Sequence, residues 1–130
     1  MTSAGRWKTV GIALGIGSAY DLGFGVAILG FTAPAARVLK LAVPADPIYL
    51  GLNGLLLILL AGLYAAAARE PERYRAVAPI AGLGRVLGFV FFALAFASGR
   101  PAAFLGLGLA DLALGLATLG AWRRASLLSD

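Results

Sequence analysis

Four polar residues stand alone within long apolar stretches of the sequence, and their types are those that bind ions, protons or one another. Asp21, Arg85 and Asp111 are ionisable, and Asn53 carries an amide. Ionisable groups are costly inside a bilayer, so they face the interior of a helix bundle, usually pair, and mark candidate functional sites. The opposite charges therefore predict one shared buried cluster of Asp21, Asn53, Arg85 and Asp111.

This cluster has two interpretations, which the residues alone leave open. In the first, the buried charges only fix the register of the helices, since buried ion pairs can specify packing. In the second they form a ligand or proton site, because one arginine cannot neutralise two carboxylates and one aspartate must hold a proton or find another partner. Three tyrosines are the candidate lining of a pocket beside the cluster: Tyr20, Tyr49 and Tyr64.

The composition indicates the solvent in which these residues lie. Hydrophobic residues make up 61% of the 130 positions and charged residues 13%, and the mean hydropathy is +0.91. A soluble domain carries about a quarter charged residues, and a chain this short cannot bury so much apolar surface in one core. The protein is therefore predicted to be an integral membrane protein.

Four apolar segments of about 22 residues predict the elements that position the polar residues: 10–31, 47–68, 76–98 and 101–122. Each gives about 33 Å of helix, enough to cross the hydrocarbon core, and the alternation of a membrane β-barrel is missing. We expect an all-α, antiparallel bundle of four transmembrane helices that forms a single domain over residues 1–130.

Each charged residue has small residues three or four positions before and after it, and these lie on the same face of its helix. They are Ser18 and Gly25 beside Asp21, Gly82 and Gly88 beside Arg85, and Gly108 and Gly115 beside Asp111. Small residues allow close approach of neighbouring helices in membranes. The charges are therefore expected to point inward.

The connection 32–46 is the longest between the spans. Thr32 is expected to cap a short helix with Pro34 in its first turn, and Arg37 and Lys40 make it amphipathic. Such a helix would lie along the outer membrane surface. An irregular loop is the alternative that the sequence leaves open.

Positive charges predict the orientation. Seven lie at the termini and in the connection between spans two and three, and three lie on the other side. By the positive-inside rule both termini are cytoplasmic, in a bacterial inner membrane, with Trp7 and Trp122 as interfacial anchors.

The absence of cysteine and histidine argues against haem, zinc and iron–sulfur ligation and against serine or cysteine catalytic triads. No cofactor is predicted, although a bound lipid or quinone remains open. The net charge of +5 does not indicate nucleic acid, because the basic residues do not form a stripe interleaved with aromatics. The expected partners are the bilayer and other membrane-protein subunits or further copies of the chain.

Three stretches carry a family resemblance: YDLGFGVAILGF in span one, YLGLNGLLLILLAGLYAAAAREPERYR from span two onward, and GLGRVLG in span three. With them the chain resembles the DoxX-like group of small four-helix bacterial membrane proteins. The group includes membrane components of redox complexes, some linked to quinones, and it supplies no agreed catalytic residues. The lack of cysteine departs from its redox members and speaks against thiol chemistry.

The sequence leaves three functions open. The first is a non-enzymatic accessory or structural subunit of a larger membrane complex, and the second is a small carrier or lipid/quinone-binding protein that uses the polar cluster. An enzyme ranks last, because no catalytic constellation is recognised. Outward stripes of small residues would favour the subunit, and a cavity that reaches the cluster would favour the carrier.

Overall fold

The computed structural model describes residues 1–128, in which the chain is helical and contains no strand. It comprises α1 (Ser3–Gly30), α2 (Thr32–Leu39), α3 (Ile48–Arg69), α4 (Val77–Ala97) and α5 (Ala102–Leu127). The four helices other than α2 are long and apolar enough to cross a membrane. The predicted fold class, an all-α four-helix membrane bundle, is confirmed.

Two helices extend beyond the apolar segments that predicted them. α1 begins at Ser3, where the Thr2 side chain accepts a hydrogen bond from the Gly5 N–H at 3.2 Å. The Arg6 guanidinium donates to the carbonyl of Leu128 at 2.5 Å, which places the start of α1 beside the end of α5. Hydropathy detects only the apolar part of such helices, whereas capped and charged turns continue them.

The two ends of the bundle differ. We call the end that holds Thr2, Leu128 and the turn 70–76 the terminal end, and the end that holds α2 and the turn 98–101 the α2 end. α1 packs mainly against α3, α4 packs mainly against α5, and α1 and α5 join the two pairs, while α3 and α4 barely touch. At Gly115 a Cβ would lie 2.9 Å from the Gly82 carbonyl oxygen, so glycine permits the close approach of α4 and α5.

The predicted helix in the connection is present as α2, but its predicted cap is wrong. Thr32 is the first helical residue, and Phe31 takes the flanking position without a capping hydrogen bond from its side chain. The Thr32 hydroxyl instead donates to the Ile28 carbonyl at the end of α1. A threonine four residues after a free carbonyl bonds backward as readily as it caps forward.

The interfacial role expected for Trp7 is also wrong. The residue is 2% exposed and belongs to the hydrophobic core at the terminal end. The core members are Trp7, Val10, Leu14, Tyr64, Ala67, Ala78, Ala81, Ala121 and Ala125. Alanines on α3, α4 and α5 leave a space that the indole fills, and the Arg75 guanidinium lies 5.1 Å from the ring centre.

Candidate functional site

A buried arginine bridges two aspartates at the centre of the bundle. Nη2 of Arg85 on α4 lies 3.0 Å from Oδ2 of Asp21 on α1, and Nη1 lies 3.0 Å from Oδ1 of Asp111 on α5. The three side chains are 8%, 6% and 16% exposed, respectively. The structure thus brings together the three charged residues that the sequence singled out, and the ion pairs tie three helices to one another.

Two glycines make room for these charges. Arg85 Nη2 also donates to the Gly17 carbonyl at 3.0 Å, and a Cβ at Gly17 would lie only 3.0 Å from the same nitrogen. A Cβ at Gly88 would lie 2.8 Å from Oδ2 of Asp111. Sequence reasoning missed Gly17, although it lies four residues before Asp21 and hence on the same helix face.

Two of the three candidate tyrosines flank the guanidinium. Its central carbon lies 5.4 Å from the ring centre of Tyr20 and 5.8 Å from that of Tyr64, which is within cation–π range. Tyr49 lies far from the cluster, 81% exposed at the α2 end of α3. Over the 15 residues between Tyr49 and Tyr64 a straight helix turns about 60° away from exact alignment, so these two tyrosines do not lie on exactly the same face of α3.

Asn53 does not join the charged cluster. It is exposed on α3 and lines a cavity near the α2 end. The predicted four-residue cluster is therefore a three-residue cluster. Asn53 lies eleven residues before Tyr64, which flanks Arg85, and is hence about 16 Å away along α3.

The charge of the cluster does not balance. One guanidinium faces two carboxylates, and +1 − 2 leaves −1 if all three groups are ionised. An uncompensated charge in a low-dielectric interior costs several kcal/mol. The cluster is therefore neutral only when one carboxylate holds a proton or a further cation is bound.

The cavity at the α2 end has a volume of about 440 Å³ and an apolar lining. None of Asp21, Arg85 and Asp111 lies among its lining residues in the described chain. The lining residues closest to the aspartates in sequence are Phe24, three residues after Asp21, and Leu107, four residues before Asp111. The cavity thus ends about one helical turn from the cluster.

The outward faces carry small residues as well. Six glycines in the interior of helices would meet no described atom beyond the backbone of their own helix within 4 Å of an added Cβ: Gly15, Gly23, Gly62, Gly84, Gly106 and Gly120. Exposed alanines extend them into two stripes: Gly15, Ala19 and Gly23 on α1, and Gly106, Ala113, Ala117 and Gly120 on α5. These glycines are not needed for packing within residues 1–128.

Compared with known proteins, the chain matches no family model, no curated protein and no solved structure.

Proposed function

We propose that this multi-pass membrane protein is a non-enzymatic accessory or structural subunit of a larger membrane complex. The observation that carries the proposal is the outward stripe Gly15–Ala19–Gly23 of α1, together with the small residues on the outer face of α5. Association of helices in a membrane depends on close packing, and small residues at four-residue spacing allow it.

The cost of glycine supports this assignment. A glycine inside a helix is about 1 kcal/mol less favourable than alanine, and at Gly15 and Gly23 the fold itself gives nothing in return, since no described side chain or backbone approaches. On the inward faces the same residue type is where neighbouring helices meet. A partner helix seated on the outward stripe of α1 would use its glycines in the same way.

The resemblance of three sequence stretches to the DoxX-like group fits the same assignment, because that group includes membrane components of redox complexes. We further propose a bacterial inner membrane and a cytoplasmic terminal end, on the strength of the positive charges there. Since the chain has no cysteine, Thr2→Cys and Leu128→Cys each create a unique label. Both should react from the cytoplasmic side, and labelling from opposite sides would contradict the orientation.

A second candidate function is a small carrier or lipid/quinone-binding protein that uses the charged cluster. The observation in its favour is the unbalanced charge of Asp21, Arg85 and Asp111, which calls for a proton or a cation at the centre of the membrane. The cavity stops about a turn short of that cluster. The carrier therefore ranks second.

The subunit proposal is tested by isolating the tagged chain from its native membrane in a mild detergent. The wild-type chain should bring with it a second membrane protein in a fixed ratio. The double variant Ala19→Leu/Gly23→Leu should lose that protein, whereas Gly62→Leu, an outward glycine on α3, should retain it. A partner that survives in both variants, or the absence of any protein in fixed ratio, would overturn the proposal.

A further inference from the structure

We propose that the cavity at the α2 end binds a single-chain anionic amphiphile, a long-chain fatty acid, with its chain inside the cavity and its carboxylate at Arg100. This site is separate from the charged cluster and from the outward stripes. It requires no partner subunit, so it can be tested on the isolated chain.

The size and walls of the cavity fit an acyl chain. A volume of about 440 Å³ lies within the range of small-molecule sites, which are mostly apolar and largely preformed. The walls come from all five helices and include Phe24, Ile28, Leu50, Phe92, Phe104 and Leu107. The rings of Phe92 and Phe104 stack on each other at 5.9 Å, which fixes one side of the cavity. The side chains that line an apolar space of this size gain dispersion contacts when a hydrocarbon chain from the bilayer fills it.

The charges around the cavity select the head group. Arg100 is the one charged residue among those described as lining it, and Arg100 makes no ion pair within residues 1–128. Arg37 and Lys40 lie exposed nearby, on and just after α2. The carboxylate of Asp46 at this end already accepts a hydrogen bond from the Ile48 N–H at 3.1 Å. Three cations against one engaged carboxylate favour an anionic head over a neutral one.

The placement of α2 separates the two parts of such a ligand. Ala35, Ala36 and Leu39 line the cavity, whereas Arg37 and Val38 are exposed on the other side of the same short helix. α2 therefore covers the cavity with its small and apolar residues. Arg100, in the turn between α4 and α5, is exposed at the edge of the cavity, where a carboxylate can remain hydrated.

The test uses the purified full-length chain in a non-ionic detergent and two probes, diazirine-labelled palmitic acid and its methyl ester. The acid should label residues that line the cavity, as located by mass spectrometry. Ala36→Phe, which fills the cavity, should reduce this labelling by about tenfold or more, equivalent to 1.4 kcal/mol of binding. The matched control Ala33→Phe lies exposed on the same helix outside the cavity lining and should label like the wild type.

The charge is tested separately. The acid should label up to about fivefold more than the ester, as expected for an ion pair that stays partly exposed. Arg100→Gln should remove most of this difference, and the control Arg69→Gln, exposed at the terminal end and outside the cavity lining, should not. If Ala36→Phe fails to fold, as judged by circular dichroism, the Arg100 comparison decides by itself.

Three results would overturn the proposal: equal labelling by acid and ester, unchanged labelling in Arg100→Gln, or labelling by a diacyl phosphatidylglycerol or quinone probe in place of the fatty acid. None of them bears on the subunit proposal, which depends on a different face of the bundle.

Discussion

Gly23 and Gly25 lie two residues apart on α1, and Gly82 and Gly84 two residues apart on α4, yet their surroundings are opposite. A Cβ at Gly25 would lie 2.7 Å from a side-chain carbon of Ile58, and one at Gly82 would lie 2.5 Å from Leu119. At Gly23 and Gly84 it would meet no described atom within 4 Å. The inward glycines are explained by contacts within the chain. The outward glycines have no such contact within residues 1–128, and for Gly15 and Gly23 the subunit proposal supplies a partner helix.

The charged residues also lie on the inward faces of their helices. Arg85 and Asp111 lie against glycines that make room for them, and Asp21 pairs with Arg85. Replacement on the inward faces should therefore destabilise the fold, and replacement on the outward faces should leave it intact and change association only.

The largest effect is expected for Arg85→Leu. It leaves two buried carboxylates without their counter-charge, and breaking a buried ion pair costs about 3–5 kcal/mol. Asp21→Asn or Asp111→Asn alone should cost less, since each leaves the arginine one carboxylate. The free energy of unfolding, measured by titration with sodium dodecyl sulfate in mixed micelles, checks the order. An Arg85→Leu variant as stable as either asparagine variant would contradict it.

Removing the whole cluster should restore much of that loss. Buried ion pairs can be replaced by neutral groups at little cost, so the triple variant Asp21→Asn/Arg85→Leu/Asp111→Asn should be clearly more stable than Arg85→Leu in the same titration. If it is stable and keeps its partner in the native membrane, the cluster is structural. If it is stable but loses that partner there, the cluster is functional. A triple variant as unstable as Arg85→Leu would show that the charges are not what Arg85→Leu disrupts.

The next largest change in stability is expected for Gly82→Leu, and it should differ from that of Gly84→Leu on the same helix. Gly82→Leu forces a side chain against Leu119 and should cost at least about 1–3 kcal/mol, the usual range for overpacking. Gly84→Leu, two residues along and without a neighbour in the described chain within 4 Å, should cause no loss and should gain up to about 1 kcal/mol, because leucine favours a helix more than glycine does. Thermal unfolding of the two variants side by side tests this, and equal losses would mean that Gly84 has a neighbour within the chain.

The sequence predicted the features that depend on hydropathy and charge. Four spans follow from apolar length, and the pairing of Arg85 with Asp21 and Asp111 follows from the cost of leaving a charge unpaired in hydrocarbon. These features can be predicted without knowing how the helices pack. They depend only on whether the chain is surrounded by lipid or by water.

The features that were missed depend on packing. Asn53 lies on nearly the same helix face as Tyr64, but Tyr64 is buried in the core, whereas Asn53, about 16 Å away along α3, is exposed at the cavity. Trp7 is in the core because the alanines opposite it are small. Periodicity gives the direction of a side chain around its own helix, and it does not give the distance to the next helix.

The most direct test of the central claim is a photo-crosslink in the native membrane. A benzophenone side chain is placed at Ala19, in the outward stripe of α1, and at Leu59, an exposed position on α3. The subunit proposal predicts one discrete adduct with a different membrane protein from position 19, and lipid adducts alone from position 59. An adduct of twice the mass of the chain would assign the stripe to self-association and contradict an accessory role. Lipid adducts alone from both positions would contradict the proposal that the stripe packs against any protein.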